Sequence, residues 1–258
     1  MKVIFIGAGP GDPELITVKG LNSIKRADII IYAGSLVNPK ILQYASSQIP
    51  VFDSSGMDYN EVCRIYADSR NKKGIIARLH TGDPSVYGAL QEQIDFCKKE
   101  NILWEVIPGV SSFQAAAAAL GQELTLPGIS QTVVLSRIGG RTPVPDKESL
   151  EKLAETRSSL ILFLSINRIK DICNVLAPIY GEKTVCNVIY RASWPDQKIV
   201  TGTLANMADL VQQAGITRQA LIMVGEVFRA QKEPFFYELS KLYDPEYTHG
   251  WRKGKNKL

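Results

Sequence analysis

The chain has 258 residues, 45% hydrophobic and 22% charged, proportions that exclude a mainly disordered, collagenous or coiled-coil protein and, at ~150 residues per domain, imply two compact halves. Its longest uninterrupted apolar run, Ala115 through Leu120, is six residues, where a membrane-spanning helix needs about 20; the first residues also lack the features of a signal peptide, so no membrane partner and a cytoplasmic location are expected. The net charge of +4 sits in residues 251–258, where Arg252, Lys253, Lys255 and Lys257 meet no acid; the 30 basic residues less these four leave 26, matching the 26 acids, which removes the case for a nucleic-acid partner.

In chain order, residues 3–6, 28–32, 74–80 and 102–107 are short and rich in Ile and Val, and each is followed by a turn signal and a helical stretch. Continuous apolar strands between helices predict a parallel sheet covered on both faces. Residues 112–120 are nearly all small or apolar and predict a helix buried on most sides. Pro127-Gly128 then marks a turn. The boundaries expected from this pattern are an N-terminal α/β domain over 1–121, a linker over 122–131, a C-terminal α/β domain over 132–245 and a basic tail over 246–258 with the composition of a solvated, frayed end. In the second domain strands are expected at 132–136, 160–164, 184–190, 198–202 and 220–227. Helices are expected at 147–155, 168–177 and 204–214, the last two capped by Asn167 and Thr203. Residues 198–202 follow 184–190 too closely for a helical crossover, so that pair is expected to be antiparallel and the second sheet mixed. The four cysteines, Cys63, Cys97, Cys173 and Cys186, form no C-x-x-C pair and read as buried reduced thiols, with no metal site implied.

The first strand runs into Gly7-Ala8-Gly9-Pro10-Gly11-Asp12-Pro13. This departs from the dinucleotide pattern G-x-G-x-x-G, because Asp12 stands where the third glycine allows close helix packing. A carboxylate there would also repel a pyrophosphate at the helix N-terminus. The turn therefore suits a ligand without phosphate, with Asp12 as the local cap. A second turn, Thr81-Gly82-Asp83-Pro84-Ser85-Val86-Tyr87-Gly88, follows the strand ending at His80 and reads as a helix start with Asp83 as cap and Pro84 in the first turn. A third, Pro108-Gly109-Val110-Ser111-Ser112, ends the next strand and offers two hydroxyls. Ligands of open α/β sheets bind at the carboxyl edge of the strands, so the three turns together outline one cleft. His80 reads as hydrogen-bonded scaffold, and His249 lies in the tail; no Ser/His/Asp or Cys/His arrangement stands out.

These residues carry a resemblance. Gly7-x-Gly9-Pro10-Gly11-Asp12-Pro13-x-Leu15-x-Thr17-x-Lys19-Gly20, Gly82-Asp83-Pro84, Pro108-Gly109-Val110-Ser111-Ser112 and Ala220-Leu221-Ile222-x-Val224-Gly225-Glu226-Val227, spread over residues 1–227, resemble the tetrapyrrole methylases, which transfer a methyl group from S-adenosylmethionine to a carbon of a macrocycle precursor. Within that family, Tyr32-Ala33-Gly34-Ser35-Leu36-Val37 and the stretch from Ser111 through Gly128 are most similar to the branch that methylates C11 of precorrin-4 or cobalt-precorrin-4 on the way to the corrin ring. The uroporphyrinogen-methylating branch has an Asp directly after the strand-two tyrosine and a Lys further on; here Ala33 takes the first place and residues 52–57 contain no lysine. Residues 247–250, Tyr-Thr-His-Gly, resemble the cobalt-first branch.

The resemblance implies two α/β domains with the cofactor cleft between them, a homodimer, and S-adenosyl-L-methionine as cofactor with S-adenosyl-L-homocysteine as product. It implies cofactor contacts at Pro10, Thr81, Gly82, Asp83, Val86, Ser111 and Ser112, and from the second domain at Leu164, Ala192 and Ala220. Leu164 and Ala220 also read as ordinary core residues of apolar strands. The macrocycle carries many carboxylates, which guanidinium groups bind bidentately; Arg137, Arg141, Arg168 and Arg191 are the candidates, with Arg137 and Arg141 favoured because they flank Gly139-Gly140. A sulfonium methyl is already electrophilic, so orientation supplies much of the rate and no nucleophilic side chain is required. The alternatives are a sibling methylase acting on another carbon or on uroporphyrinogen III, a nicotinamide oxidoreductase, and a non-catalytic tetrapyrrole carrier.

Overall fold

The computed structural model describes residues 1–140 and 142–255. They form two compact units: Met1–Ala116 together with Arg191–Gln197, and Ala117–Tyr190 together with the described residues from Lys198 onward.

The first unit contains β1 (Lys2–Gly7), α1 (Val18–Lys25), β2 (Ile29–Tyr32), β3 (Val51–Asp53), α2 (Tyr59–Ser69), β4 (Ile75–His80), α3 (Leu90–Lys99) and β5 (Leu103–Ile107). The strands make one parallel sheet in the order β3-β2-β4-β1-β5. Alternate residues of the apolar strands serve opposite faces. Ile4, Ile6, Ile30 and Leu79 pack with Ile24 of α1, while Val3, Phe5, Ile31 and Ile76 pack with Val62 and Tyr66 of α2 and Ile94 and Cys97 of α3. Full burial of each such side chain is worth about 1.5–3 kcal/mol. Helix α1 starts where the Thr17 hydroxyl accepts from the Gly20 amide, and α2 where Asp58 and Glu61 form a reciprocal capping box.

The second unit follows α4 (Ser112–Leu120) with β6 (Val133–Ser136), α5 (Leu150–Ala154), β7 (Ser159–Leu162), α6 (Ile169–Tyr180), β8 (Val185–Tyr190), β9 (Lys198–Thr203), α7 (Met207–Gln213) and β10 (Ala220–Val224). Its sheet runs β6-β7-β10-β8-β9. Strands β6 and β7 are parallel and the other pairs antiparallel, including the short β8–β9 connection. Leu160, Leu162, Val188 and Ile222 pack with Ile172 and Leu176 of α6 and Met207 and Val211 of α7.

Several local expectations are corrected. Strand β3, unforeseen in the sequence, is three residues long and half open, with Val51 at 43% exposure. The helix expected at 147–155 divides into a 3-10 turn over Asp146–Glu148 and the short α5. Asn167 lies inside a 3-10 turn, Ile166–Arg168, and does not cap α6. At α7 the expected cap is reversed: the Asn206 side-chain Oδ1 accepts from the Thr203 amide, and the helix begins only at Met207. The tail folds on itself as far as it is described: Arg252 donates to the Leu242 and Asp244 carbonyls, and Lys255 to that of Pro245. All four cysteines are buried free thiols. No helix among the described residues is long and apolar enough to cross a membrane.

Candidate functional site

At the carboxyl edge of the first sheet the three turns are fastened together by main-chain bonds. The Ala8 amide donates to the His80 carbonyl (2.8 Å), and Gly9 and Gly82 exchange two bonds, 2.8 and 3.3 Å long, as an isolated antiparallel bridge. The third turn joins through Asp83, whose carboxylate accepts from the Gly109 amide at 2.8 Å. A Cβ on Gly109 would lie 2.3 Å from the Gly82 carbonyl oxygen and 2.7 Å from the Gly7 Cα, and one on Gly7 would lie 2.5 Å from Gly109. No side chain fits at either position, so the backbones themselves form the cradle.

Asp83 does something other than the expected helix capping. Its second oxygen accepts from the Ser85 amide and hydroxyl, and no helix follows, because Tyr87 (φ 54°) and Ala89 (φ 47°) are left-handed and interrupt the chain until α3. Burial pushes the Asp83 carboxyl up, but the hydrogen bonds from Ser85 and Gly109 outweigh it and hold the group below its ordinary range. Asp12 caps as expected, accepting from the Glu14 amide. The Thr81 hydroxyl donates to the Leu36 carbonyl, Ser111 is buried with its amide bonded to Gln114, and Ser112 opens α4. Val86 is half-buried in the turn that Asp83 begins.

Residues 191–197 pack with this unit, so Ala192 stands beside the first turn and not, as expected, with the second domain. The Trp194 indole donates to the Pro10 carbonyl at 3.0 Å and lies on Gly11, where a Cβ would come within 2.0 Å of the ring. The Ser193 hydroxyl accepts from the Asp12 amide at 3.0 Å. Arg191 pairs with Asp196 at 2.6 Å and covers the Trp194 ring at 3.8 Å. Trp194 and Ser193 escaped the sequence reading; a Ser-Trp-Pro-Asp turn between two strands was the available signal.

In the second unit, Leu164 is not a core strand residue: it follows β7, is 70% exposed, and has φ 53°. Ala220 is buried at the start of β10 opposite Tyr190, on the strand antiparallel to β7. Arg137 donates to the Ile138, Thr142 and Pro143 carbonyls, and Arg168 to Asp171 and the Gly139 carbonyl. Both therefore brace the loop after β6, and Arg141, expected in the same loop, lies outside the described residues. Nine described non-glycine residues have positive φ, and five of them (Tyr87, Leu164, Arg191, Ser193 and Gln219) are at or beside Val86, Leu164, Ala192 and Ala220. Such strain persists only where surrounding structure enforces it, and it concentrates at functional sites.

Residues 2–208 match the family of tetrapyrrole (corrin/porphyrin) methylases. The chain belongs to that family. It is 49% identical to a cobalt-precorrin-4 C(11)-methyltransferase of Methanocaldococcus jannaschii over all of this chain and 98% of that protein. It is 43% identical to a precorrin-4 C(11)-methyltransferase of Pseudomonas aeruginosa, over 99% and 100% of the two chains. Among solved structures it is similar to a cobalt precorrin-4 methyltransferase described as a cobalamin biosynthetic enzyme, with TM-score 0.86 and 41% identity over 88% of this chain and 95% of that one. A Thermus thermophilus uroporphyrin-III C-methyltransferase complexed with S-adenosyl homocysteine gives TM-score 0.74 at 27% identity, over 89% and 94% of the two chains.

The first-unit edge fits the ligand that this methylase relationship implies. None of residues 7–12, 81–86 or 108–112 is basic, while Asp12 and Asp83 are acidic, so glycine backbone, hydroxyls and two carboxylates suit an amino-acid nucleoside carrying positive charge better than a polyphosphate. His80 is buried against Phe5, and burial together with nearby Arg78 pushes its imidazole down to about 3; it is neutral scaffold at working pH.

Proposed function

We propose that this protein is an S-adenosylmethionine-dependent C-methyltransferase that methylates C11 of precorrin-4 or cobalt-precorrin-4 in corrin biosynthesis. The observation that carries the reading is the 49% identity, without terminal gaps in this chain, to a protein named for that activity. The cofactor supplies the methyl group already activated on a sulfonium. What this chain contributes is binding and orientation, through the backbone cradle of Gly7, Gly82 and Gly109 and through Pro10, Thr81, Asp83, Val86, Ser111, Ser112 and Ala192 as first-unit contacts. Leu164 and Ala220 are proposed as apolar ligand contacts of the second unit. Arg137, Arg168 and Arg191 remain the proposed partners of the substrate carboxylates, each with a guanidinium already held in place by protein acceptors.

We further infer a homodimer working in the cytoplasm. Phe235, Leu239, Leu242, Tyr243 and Trp251 are all more than half exposed within one short stretch of chain, an apolar surface that a second copy would cover. The test of the activity is incubation with isotopically labelled S-adenosylmethionine and either precorrin-4 or its cobalt form. Label is expected at C11 of one of them; label on uroporphyrinogen III instead would overturn the reading. Tight NADH binding without any S-adenosylhomocysteine binding would replace it with an oxidoreductase.

A further inference from the structure

The first turn is held at Pro10, Gly11 and Asp12 by side chains from two distant segments of the chain. The Trp194 indole Nε1 donates to the Pro10 carbonyl at 3.0 Å, and the Ser193 hydroxyl accepts from the Asp12 amide at 3.0 Å. From the other segment the buried Asn38 donates through Nδ2 to the Gly11 carbonyl at 2.8 Å, while its Oδ1 accepts from the Lys40 amide. Three consecutive residues thus each have a main-chain group fixed by a side chain lying 184, 27 and 181 residues away in sequence, in the order Pro10, Gly11, Asp12. The Trp194 ring also bounds the turn at Gly11, where a Cβ would meet it at 2.0 Å.

Residues 191–197, which supply Ser193 and Trp194 and belong to the first unit, are braced from within. Arg191 (φ 47°) and Ser193 (φ 69°) are both left-handed, a conformation that a residue with a side chain keeps only where its surroundings enforce it. Here the Ser193 amide donates to the Gln197 side-chain carbonyl at 2.7 Å, and the Trp194 and Gln197 amides donate to the Arg191 and Trp194 carbonyls at 3.0 Å each. Arg191 pairs with Asp196 at 2.6 Å and lies 3.8 Å from the Trp194 ring centroid. The strained segment presents one donor and one acceptor to two main-chain groups on either side of Gly11. Packing a hydrophobic side chain onto the first turn would need neither the strain nor the paired polar groups. We propose that Trp194 is a positioning residue for methyl transfer: acting through Pro10, with Ser193 acting through Asp12, it fixes the first turn in the shape that receives S-adenosylmethionine. This inference rests on the methyltransferase reading above and on Pro10 as a cofactor contact. Trp194 itself need touch no reacting atom. It raises affinity by removing conformations of the turn from which the ligand would otherwise have to select.

The test is calorimetric titration of the full-length protein with S-adenosylhomocysteine, well below the melting point of each variant, beside KM values for S-adenosylmethionine and for the macrocycle from the labelled-methyl assay. Trp194→Phe keeps an aromatic ring beside Arg191 and removes the donor. It is expected to weaken S-adenosylhomocysteine about 3- to 10-fold, as the loss of one hydrogen bond implies, and to raise the S-adenosylmethionine KM by a similar factor with the macrocycle KM unchanged. Trp194→His puts an imidazole N–H where the indole N–H stood, uncharged at about pH 8, and is expected to recover most of what Trp194→Phe loses. Ser193→Ala removes the acceptor for the Asp12 amide and is expected to weaken the ligand about 2- to 5-fold; it carries the test if Trp194→Phe fails to fold. Wild-type affinity in folded Trp194→Phe, or in Ser193→Ala standing in for it, with only the melting point lowered, would overturn the proposal and leave residues 191–197 a packing element. A folded Trp194→His as weak as Trp194→Phe, or an equal rise in both KM values, would overturn it too. A wild-type protein that binds neither S-adenosylmethionine nor S-adenosylhomocysteine would overturn the methyltransferase reading itself.

Discussion

The two units hold their candidate residues by different means. In the first, three turns are locked by main-chain bonds, Ala8 to His80, Gly9 to Gly82 and Gly109 to Asp83, with Gly7 and Gly109 too close to admit a Cβ. In the second, Arg137 and Arg168 brace one loop with their own side chains, and Leu164 stands exposed on a strained backbone. A cradle made of backbone keeps its shape whatever side chains surround it but tolerates no substitution at its closest approach. A surface made of side chains tolerates substitution and changes its ligand preference when substituted.

The sharpest way to break this contrast is Gly109→Ala. The added Cβ meets backbone on two sides, so the turn must separate from Gly82 and Gly7; we expect about 3 kcal/mol of destabilisation and, at roughly 2–4 °C per kcal/mol for a chain of this size, a melting point lower by ~6–12 °C. S-adenosylhomocysteine affinity measured below the new melting point is expected to fall at least tenfold. An unaltered melt would mean that the three turns are not interlocked.

A smaller effect is expected from Asp83→Ala, which leaves the Gly109 and Ser85 amides without their acceptor, at a cost of about 1–2 kcal/mol. Because the native carboxyl is held below its ordinary value, its contribution is fully present above the unfolded-state pKa of about 4 and is lost as pH falls through the lower folded value. Wild-type and variant stabilities, compared by denaturant unfolding, are therefore expected to differ at pH 6 and to converge toward pH 3. A gap that stays constant over that range would show that the carboxylate charge plays no part.

The smallest effect belongs to the second unit. At φ 53° a leucine is strained where a glycine is not, so Leu164→Gly is expected to be more stable than Leu164→Ala by about 1 kcal/mol. Both are expected to weaken S-adenosylhomocysteine binding severalfold, since both remove the exposed apolar side chain. Equal stability of the two variants would remove strain from the description of this site; undiminished affinity would remove Leu164 from the ligand.

Much of this was legible in the residues, because the signals were local. Short segments rich in Ile and Val, each followed by a turn signal, gave β1, β2, β4 and β5, and the short gap between β8 and β9 gave their antiparallel pairing. Glycine-rich turns after β1, β4 and β5 marked the sheet edge. What stayed hidden depends on chain segments far apart in sequence. Gly109 looks like an ordinary turn glycine until Gly7 and Gly82 are seen against it. Leu164 continues an apolar run and so read as core, although the strand stops at Leu162 and the next residues turn outward. Ser193 and Trp194 lie more than 180 residues from Asp12 and Pro10, which they contact.

The buried thiols have a practical consequence for labelling chemistry. Burial pushes all four up, Cys97 to about 11 and Cys186 well above its ordinary value, and only the thiolate reacts readily with maleimides or iodoacetamide. The native protein is thus a silent background for such reagents. A single cysteine introduced at an exposed position, Leu164→Cys for instance, would take up a fluorophore or spin label alone, and the native cysteines need not first be removed from cores in which each fills space.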